Sequence, residues 1–267
     1  MRQRIVTALL LFLVFLPLVY WAPSSVFRLF LAVIFFFALD EWLQLAQIAW
    51  HRGWAVSGSL VFAALAFSQG QSAWLWAVAA GVFWLLVPIV LWRARTRRAQ
   101  GPATPHWMAA LALPVLFPAF LLAAALQGQR PSFLLWIVLL VSATDILALA
   151  VGKTWGRSPL APWLSPAKTW EGLFGGLLAG LMMGTLGTLV LIGSGLWTLA
   201  AGATLGVLVA AFGVVGDLLE SLLKRRSGRK DSGRLLPGHG GVLDRIDAML
   251  AGIPVFVLGL IALGWWK

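Results

Sequence analysis

The sequence predicts an all-α, polytopic integral membrane protein with about nine transmembrane helices. Hydrophobic residues make up 61% of the 267-residue chain, and only 29 residues are Asp, Glu, Lys or Arg. An average soluble domain has roughly 45–50% apolar residues even with glycine counted. So few charges could not cover a soluble protein of this length, whereas a bilayer removes that need. The apolar residues also form long runs, close to the roughly 20 residues that one membrane-spanning helix requires.

That length rule places the predicted spans in order along the chain. They cover residues 5–22, 26–49, 54–69, 73–92, 107–126, 132–151, 172–193, 197–219 and 248–266. The apolar run of the first is too long for a signal peptide, so it is interpreted as a membrane helix. We divide the chain into N-terminal transmembrane helices, residues 1–130 with about five spans, and a C-terminal transmembrane region, residues 131–267, that holds the chemistry.

Lysine and arginine predict the orientation, because cytoplasmic loops carry an excess of them. With nine spans and a cytoplasmic N-terminus, 17 basic residues lie on the inner side and three, Arg28, Arg130 and Lys267, on the outer side. The net charge of +11 is therefore explained by topology. No soluble basic domain exists to present that charge to nucleic acid, so the bilayer is the predicted partner and nucleic acid is excluded.

Cysteine is absent from the chain. This excludes disulfides, thiolate nucleophiles and Cys-type zinc sites. Three histidines, His51, His106 and His239, show no metal-ligand spacing, so any metal is expected to use oxygen ligands.

Charged residues concentrate in residues 213–247. If the eighth predicted helix continues past the membrane, Asp217, Glu220, Ser221 and Lys224 lie at i, i+3, i+4 and i+7 and share one face. Such a face can hold a cation beside a phosphate. The alternative is a structural network of ion pairs with the basic loops.

A glycine-rich turn follows, and its backbone N–H groups can approach an anion closely, as in a phosphate-binding nest. It comprises residues 237–241, and helix is predicted to resume just beyond, with Asp244 and Asp247 on one side. Two helices would then bring Asp217 and Asp244 together across the loop. Carboxylates with Lys and Arg around a glycine-rich turn suit magnesium and nucleotide phosphates.

Three further groups of residues bear on the site. Asp145 lies within the sixth predicted span, where an ionisable group indicates function. In residues 165–172, Lys168 is a candidate phosphate contact oriented by Glu171, although an interfacial turn anchored by Trp163 and Trp170 explains the segment equally well. The acids of residues 5–126, Asp40 and Glu41, are expected to lie outside the site.

At these residues the chain resembles the phosphatidate cytidylyltransferase family, the CDP-diacylglycerol synthases. The matching motif is Ser-x-apolar-Lys-Arg, four residues, Lys-Asp, then Pro-x-His-Gly-Gly-x-x-Asp-Arg-x-Asp, which runs here from Ser221 to Asp247. The segments 216–218 and 165–172 also resemble the family, so the resemblance covers about residues 140–250. One departure is Leu149, where the family commonly has tyrosine.

The resemblance implies transfer of a cytidylyl group from CTP to phosphatidic acid, with release of pyrophosphate. It implies magnesium, with a potassium ion as a further candidate, and Asp217 and Asp244 as the main metal ligands. The resulting site prediction has three parts. The catalytic residues are Lys224, Arg225, Lys230, Asp231, Arg245 and Asp247; the substrate-binding residues are Ser165, Lys168, Glu171, Ser221, His239, Gly240 and Gly241; the metal ligands are Asp217, Asp244 and, as a third candidate, Asp145.

Two alternatives remain open. One is a CTP-dependent enzyme acting on another lipid phosphate, and the other is an ion-coupled transporter, since buried Asp residues and glycine-broken helices also mark that class. The predicted location is the bacterial inner membrane with the active-site loops in the cytoplasm, and a homodimer is left open.

Overall fold

A computed structural model describes residues 15–68, 73–96, 105–233, 235 and 240–266. Its elements follow the chain in this order. The helices are α1 (Ser24–Leu45), α2 (His51–Ser68), α3 (Ala73–Thr96), α4 (Pro105–Ala110), α5 (Ala112–Gln129), α6 (Pro131–Trp155), α7 (Trp170–Leu191), α8 (Leu196–Arg226) and α9 (Leu243–Ala262), and the strands are β1 (Pro159–Ala161) and β2 (Ser165–Thr169). Residues 15–20, which precede α1, are also helical.

Six helices in the described ranges are long and apolar enough to cross a membrane. They are Ala73–Arg95, His106–Gln129, Pro131–Trp155, Trp170–Leu191, Leu196–Arg226 and Leu243–Ala262. This confirms an all-α membrane protein, but it does not confirm the predicted count of nine spans. Two further helices are not among these candidate spans. They are α1, which carries Arg28, Asp40 and Glu41, and α2, which begins with His51 and Arg52. Most of the first predicted span, 5–22, lies outside the described residues.

Helix α8 is longer than a bilayer requires. Its 31 residues correspond to about 46 Å at 1.5 Å per residue, whereas the hydrocarbon core is about 30 Å thick. The apolar part ends near Gly216, and the last ten residues carry Asp217, Glu220, Lys224, Arg225 and Arg226. The predicted continuation of this helix past its apolar stretch is therefore confirmed.

Small residues let α7 and α8 pack closely. A Cβ atom built at Gly180 would lie 2.5 Å from the carbonyl oxygen of Gly206, so neither helix tolerates a side chain at this crossing. Such small-residue contacts are typical of membrane helices, whose association depends on close packing. They fix the position of α8 against α7.

The core of the bundle joins the two halves of the chain. Helix α9 packs against α3, α5, α6 and α8. In the N-terminal half, Phe35 of α1 stacks on Phe62 and meets Phe117 and Phe120 edge-on. The buried apolar residues form one cluster that includes residues on both sides of position 130. The division of the chain into two transmembrane regions at that position stays a prediction.

A short antiparallel hairpin separates α6 from α7, where only a turn was predicted. Strand β1 pairs with β2 through Pro159 opposite Thr169 and Ala161 opposite Ser165. Thr169 then caps the N-terminus of α7, because its side chain accepts a hydrogen bond from the Gly172 backbone N–H at 3.1 Å. The hairpin thereby carries Lys168 to the end of the bundle where the charged part of α8 lies.

The charge distribution yields a test of the topology. A reporter active only in the cytoplasm, fused after Lys267, should be silent, because nine spans with a cytoplasmic N-terminus place the C-terminus outside. The same reporter inserted in the basic loop at 97–100 should be active. Strong activity from the C-terminal fusion would contradict the odd number of spans.

Candidate active site

The charged end of α8 presents four residues on one face, as the spacing predicts. The Ser221 hydroxyl donates to Asp217 Oδ1 at 3.3 Å, and Lys224 Nζ donates to Glu220 Oε2 at 2.8 Å. Both pairs are four residues apart, which places their side chains one above the other on the helix. The face therefore carries two carboxylates, each of which accepts a hydrogen bond from a side chain one turn further along the helix.

Three carboxylates converge where α8 meets α9. Asp217 and Glu220 of α8 and Asp247 of α9 each offer an oxygen, and these oxygens lie within 4.8 Å of one another. We call this group the acidic triad. The sequence predicted Asp217 and Asp244 as joint metal ligands, whereas the structure brings Asp247 to Asp217 and gives Asp244 other partners.

Glu220 is the most buried member of the acidic triad. Its side chain is 2% exposed, and its Oε1 atom has no hydrogen-bond partner in the part of the chain that the structure describes. A buried, unpaired carboxylate oxygen is costly, by about 1–3 kcal/mol or more. Such an atom indicates that another group, such as a cation, belongs beside it.

Gly216 explains how the two helices come so close. A Cβ atom built at this residue would lie 2.5 Å from the Asp247 carbonyl oxygen and 3.2 Å from the Ala251 Cβ. Any larger side chain would therefore push α9 away from α8. The glycine immediately before Asp217 thus fixes the separation of the acidic triad.

Lys224 connects the acidic triad to Asp244. Its Nζ atom lies 2.8 Å from both Glu220 Oε2 and Asp244 Oδ1, and the lysine side chain is 14% exposed. The other oxygen of Asp244 accepts hydrogen bonds from the backbone N–H and hydroxyl of Ser232 and from the Gly241 N–H, at 3.0, 2.9 and 2.8 Å. Protein groups therefore engage both oxygens of Asp244.

The hairpin supplies a second lysine. Lys168 forms an ion pair with Asp217 Oδ2. Arg225 Nε donates to the Leu164 carbonyl oxygen at 3.0 Å, which attaches the hairpin to α8. The Glu171 Oε1 and Oε2 atoms accept from the Ser158 backbone N–H at 3.2 and 3.3 Å, so in the described part of the chain Glu171 stabilises the hairpin. Ser165 lies at the start of β2.

Asp145 is exposed on α6 and interacts electrostatically with Asp217 and Lys168. The sixth predicted span therefore does contribute an acid to this region. Leu149, where the resembling family commonly has tyrosine, is 58% exposed one turn further along α6.

An open polar cavity of about 480 Å³ lies beside the loop that follows α8. Lys230 and Asp231 line it, together with Arg229, Ser232 and, from α1, Gln44. The cavity has the size of a small-molecule pocket. Two of the predicted catalytic residues thus lie together on its wall.

The glycine-rich turn is described only in part. His239 lies outside the described residues, whereas Gly240 has a φ of +80°, a backbone conformation that favours glycine. A Cβ atom at Gly240 would also lie 2.6 Å from Asp244 Oδ2. Arg245 is exposed at the start of α9. Phosphate contacts by His239, Gly240, Gly241 and Arg245 stay predictions.

Glu41, Ser232 and Arg229 belong to this region but were not among the predicted site residues. Glu41 of α1, expected to lie outside the site, is 5% exposed and accepts hydrogen bonds from Ser232, Val242 and Leu243. The signal available in the sequence was an acid inside an apolar stretch, which is costly unless it is paired. Its partners lie about 200 residues away, so spacing alone could not identify them.

Known proteins match this chain over almost its whole length. The profile of a family described as the cytidylyltransferase family matches residues 2–262. A protein of Pseudomonas aeruginosa named phosphatidate cytidylyltransferase is 36% identical over 282 residues, covering 99% of this chain and 98% of that protein. One of the same name from Brucella abortus is 36% identical over 97% of this chain and 92% of its own length. A third, from Haemophilus influenzae, is 44% identical over 46% of this chain and 43% of that protein.

Proposed function

The chain belongs to the cytidylyltransferase family, and we propose that its acidic triad is the metal centre at which it makes CDP-diacylglycerol from CTP and phosphatidic acid. In this reaction a phosphate oxygen of phosphatidic acid attacks the α-phosphorus of CTP. The bond from that phosphorus to the oxygen bridging to the β-phosphate breaks, and pyrophosphate leaves with the electron pair. No covalent intermediate with the protein is needed.

Glu220 is the main support for the metal assignment. Its buried Oε1 atom has no hydrogen-bond partner among the residues that the structure describes. Asp217, Asp247 and Glu220 each offer one carboxylate oxygen, these oxygens lie within 4.8 Å of one another, and an all-oxygen donor set suits magnesium. We therefore assign Asp217, Glu220 and Asp247 as the residues that would hold the ion. When bound, a divalent cation would neutralise phosphate charge and orient the phosphate groups.

The basic residues around the acidic triad have separate tasks in this proposal. Lys168, on a hairpin and paired with Asp217, is well placed to move onto an incoming phosphate. Lys224 is held between Glu220 and Asp244, so it fixes the carboxylates rather than reaching for substrate. Arg229 and Lys230, on the wall of the polar cavity, supply positive charge for the triphosphate.

The same arrangement supports a cytoplasmic location for the site. CTP is a soluble nucleotide, and the acidic triad lies at the end of α8 that carries Lys224, Arg225 and Arg226. Such basic ends mark the cytoplasmic side of a bacterial inner membrane. An enzyme acting on a different lipid phosphate would use the same residues, and lipid competition experiments separate the two possibilities.

One assay tests the proposed function. Purified full-length protein, incubated with labelled CTP, phosphatidic acid and magnesium, should form labelled CDP-diacylglycerol and pyrophosphate. Excess chelator should abolish product formation, because the triad offers only oxygen ligands, and calcium should restore little activity. Full turnover in chelator would contradict the metal centre, and no product under any metal condition would contradict the reaction.

A further inference from the structure

Glu41 links the N-terminal half of the chain to the described residues between α8 and α9, 227–233, 235 and 240–242, which we call the catalytic loop. The geometry points to Glu41 as a positioning residue of the reaction, one that holds the catalytic loop and the first turn of α9 so that Asp244 and Asp247 are correctly placed. This inference rests on the proposed function for the reaction concerned. The contacts of Glu41 themselves are independent of it.

Donors from two separate stretches converge on the Glu41 carboxylate. Its Oε1 accepts from the Val242 N–H at 3.0 Å, and its Oε2 accepts from the Leu243 N–H at 2.9 Å and the Ser232 hydroxyl at 2.9 Å. The first N–H groups of a helix lack partners within the helix and form its positive end. Val242, at the N-cap of α9, makes no side-chain cap, so Glu41 supplies the acceptor from another helix.

Ser232 connects Glu41 to the acidic triad. Its hydroxyl lies 2.9 Å from Glu41 Oε2 and 2.9 Å from Asp244 Oδ2, and its single proton can be donated to one of them at a time. Asp244 holds Lys224, and Lys224 holds Glu220. A continuous series of polar contacts therefore runs from α1 to the proposed metal ligands.

Two glycines of the catalytic loop, Gly233 and Gly241, lie against the Glu41 carboxylate. A Cβ atom would lie 2.7 Å from Glu41 Cδ if built at Gly233, and 2.6 Å from it if built at Gly241. Both glycines thus permit the loop to contact this one side chain. The surroundings of Glu41 suit a carboxylate, because both of its oxygens accept from backbone N–H groups. A glutamine at the same place would direct its N–H₂ group at one of these donors.

The test compares Glu41→Gln with Asp40→Asn in the full-length protein. Asp40 is the adjacent acid on α1, and among the described residues its hydrogen bonds are with His51 at 2.5 Å and Gln44 at 2.8 Å. We expect Glu41→Gln to raise hydrogen exchange across residues 241–247 by about tenfold or more, because the amide keeps one acceptor oxygen and turns its N–H₂ group toward the other backbone N–H, which loses its acceptor. The kcat should fall by at least about tenfold and half-activation should need more magnesium, while KM for CTP changes less.

Asp40→Asn should keep parental exchange and kinetics. Gly233→Ala is the second variant, since it displaces the same carboxylate without altering its charge, and it should reproduce the exchange increase. Parental exchange and parental kcat per folded molecule in Glu41→Gln would overturn the proposal. A parent that forms no product would contradict the proposed function alone, because the exchange comparison still decides the role of Glu41.

Discussion

Replacing Asp217 or Asp247 with asparagine should lower the rate of CDP-diacylglycerol formation by about 1,000-fold, equivalent to about 4 kcal/mol of transition-state stabilisation. Each change keeps the size of the side chain but removes one negative charge from three oxygens that lie within 4.8 Å of one another. A metal centre contributes several kcal/mol through charge alone. The double variant should be little worse than either single variant, because residues that act as one unit are not additive.

The measurement is a rate per folded molecule, with binding of the metal followed separately by a calorimetric titration. Asp40→Asn is the control, since Asp40 is partly buried but bonded to His51 and Gln44. The single variants should elute like the parent, because removing one of several clustered negative charges relieves repulsion. Near-parental rates in folded Asp247→Asn would contradict the assignment of Asp247 to the metal, and strict additivity of the two changes would contradict a shared ion.

Much of the fold and part of the site were predictable from local pattern. Apolar runs identified the membrane helices, and helical spacing placed Asp217, Glu220, Ser221 and Lys224 on one face of α8, as the structure confirms. These predictions succeed because they depend on residues within two turns of one another. The count of nine spans is not confirmed, because apolar helices with internal charges, such as α1, are ambiguous by composition.

Partners distant in sequence were not predictable in the same way. Asp244 and Asp247 both face the α8–α9 crossing, and spacing alone cannot say which of them meets Asp217. Which of the two aspartates meets Asp217 depends on the close approach of the helices at Gly216 and on the ion pair between Lys224 and Asp244. Glu41 shows the same difficulty more strongly, because α1 reaches the catalytic loop only through tertiary packing. An isolated acid in an apolar helix is the one local signal of such a contact.

Replacing Lys224 with methionine should have the second large effect, on stability as well as activity. The Lys224 ammonium lies 2.8 Å from both Glu220 and Asp244, and these two side chains are 2% and 11% exposed. Without it, two buried carboxylates lose their shared partner, and breaking such a pair costs about 3–5 kcal/mol. The thermal midpoint in detergent should drop, and the rate per folded molecule should fall by roughly 100-fold, as when one charged stabiliser is removed from an active site.

Lys224→Arg is the matched variant for this prediction. It keeps the positive charge, so it should recover part of the stability, but a planar guanidinium spreads that charge over a larger group with fixed N–H directions, whereas the ammonium is a compact charge between the two carboxylates. Its rate should therefore stay well below the parental rate. Parental stability and rate in Lys224→Met would contradict the role given to Lys224, whereas full rescue by arginine would show that charge alone, without the single-point geometry, organises Glu220 and Asp244.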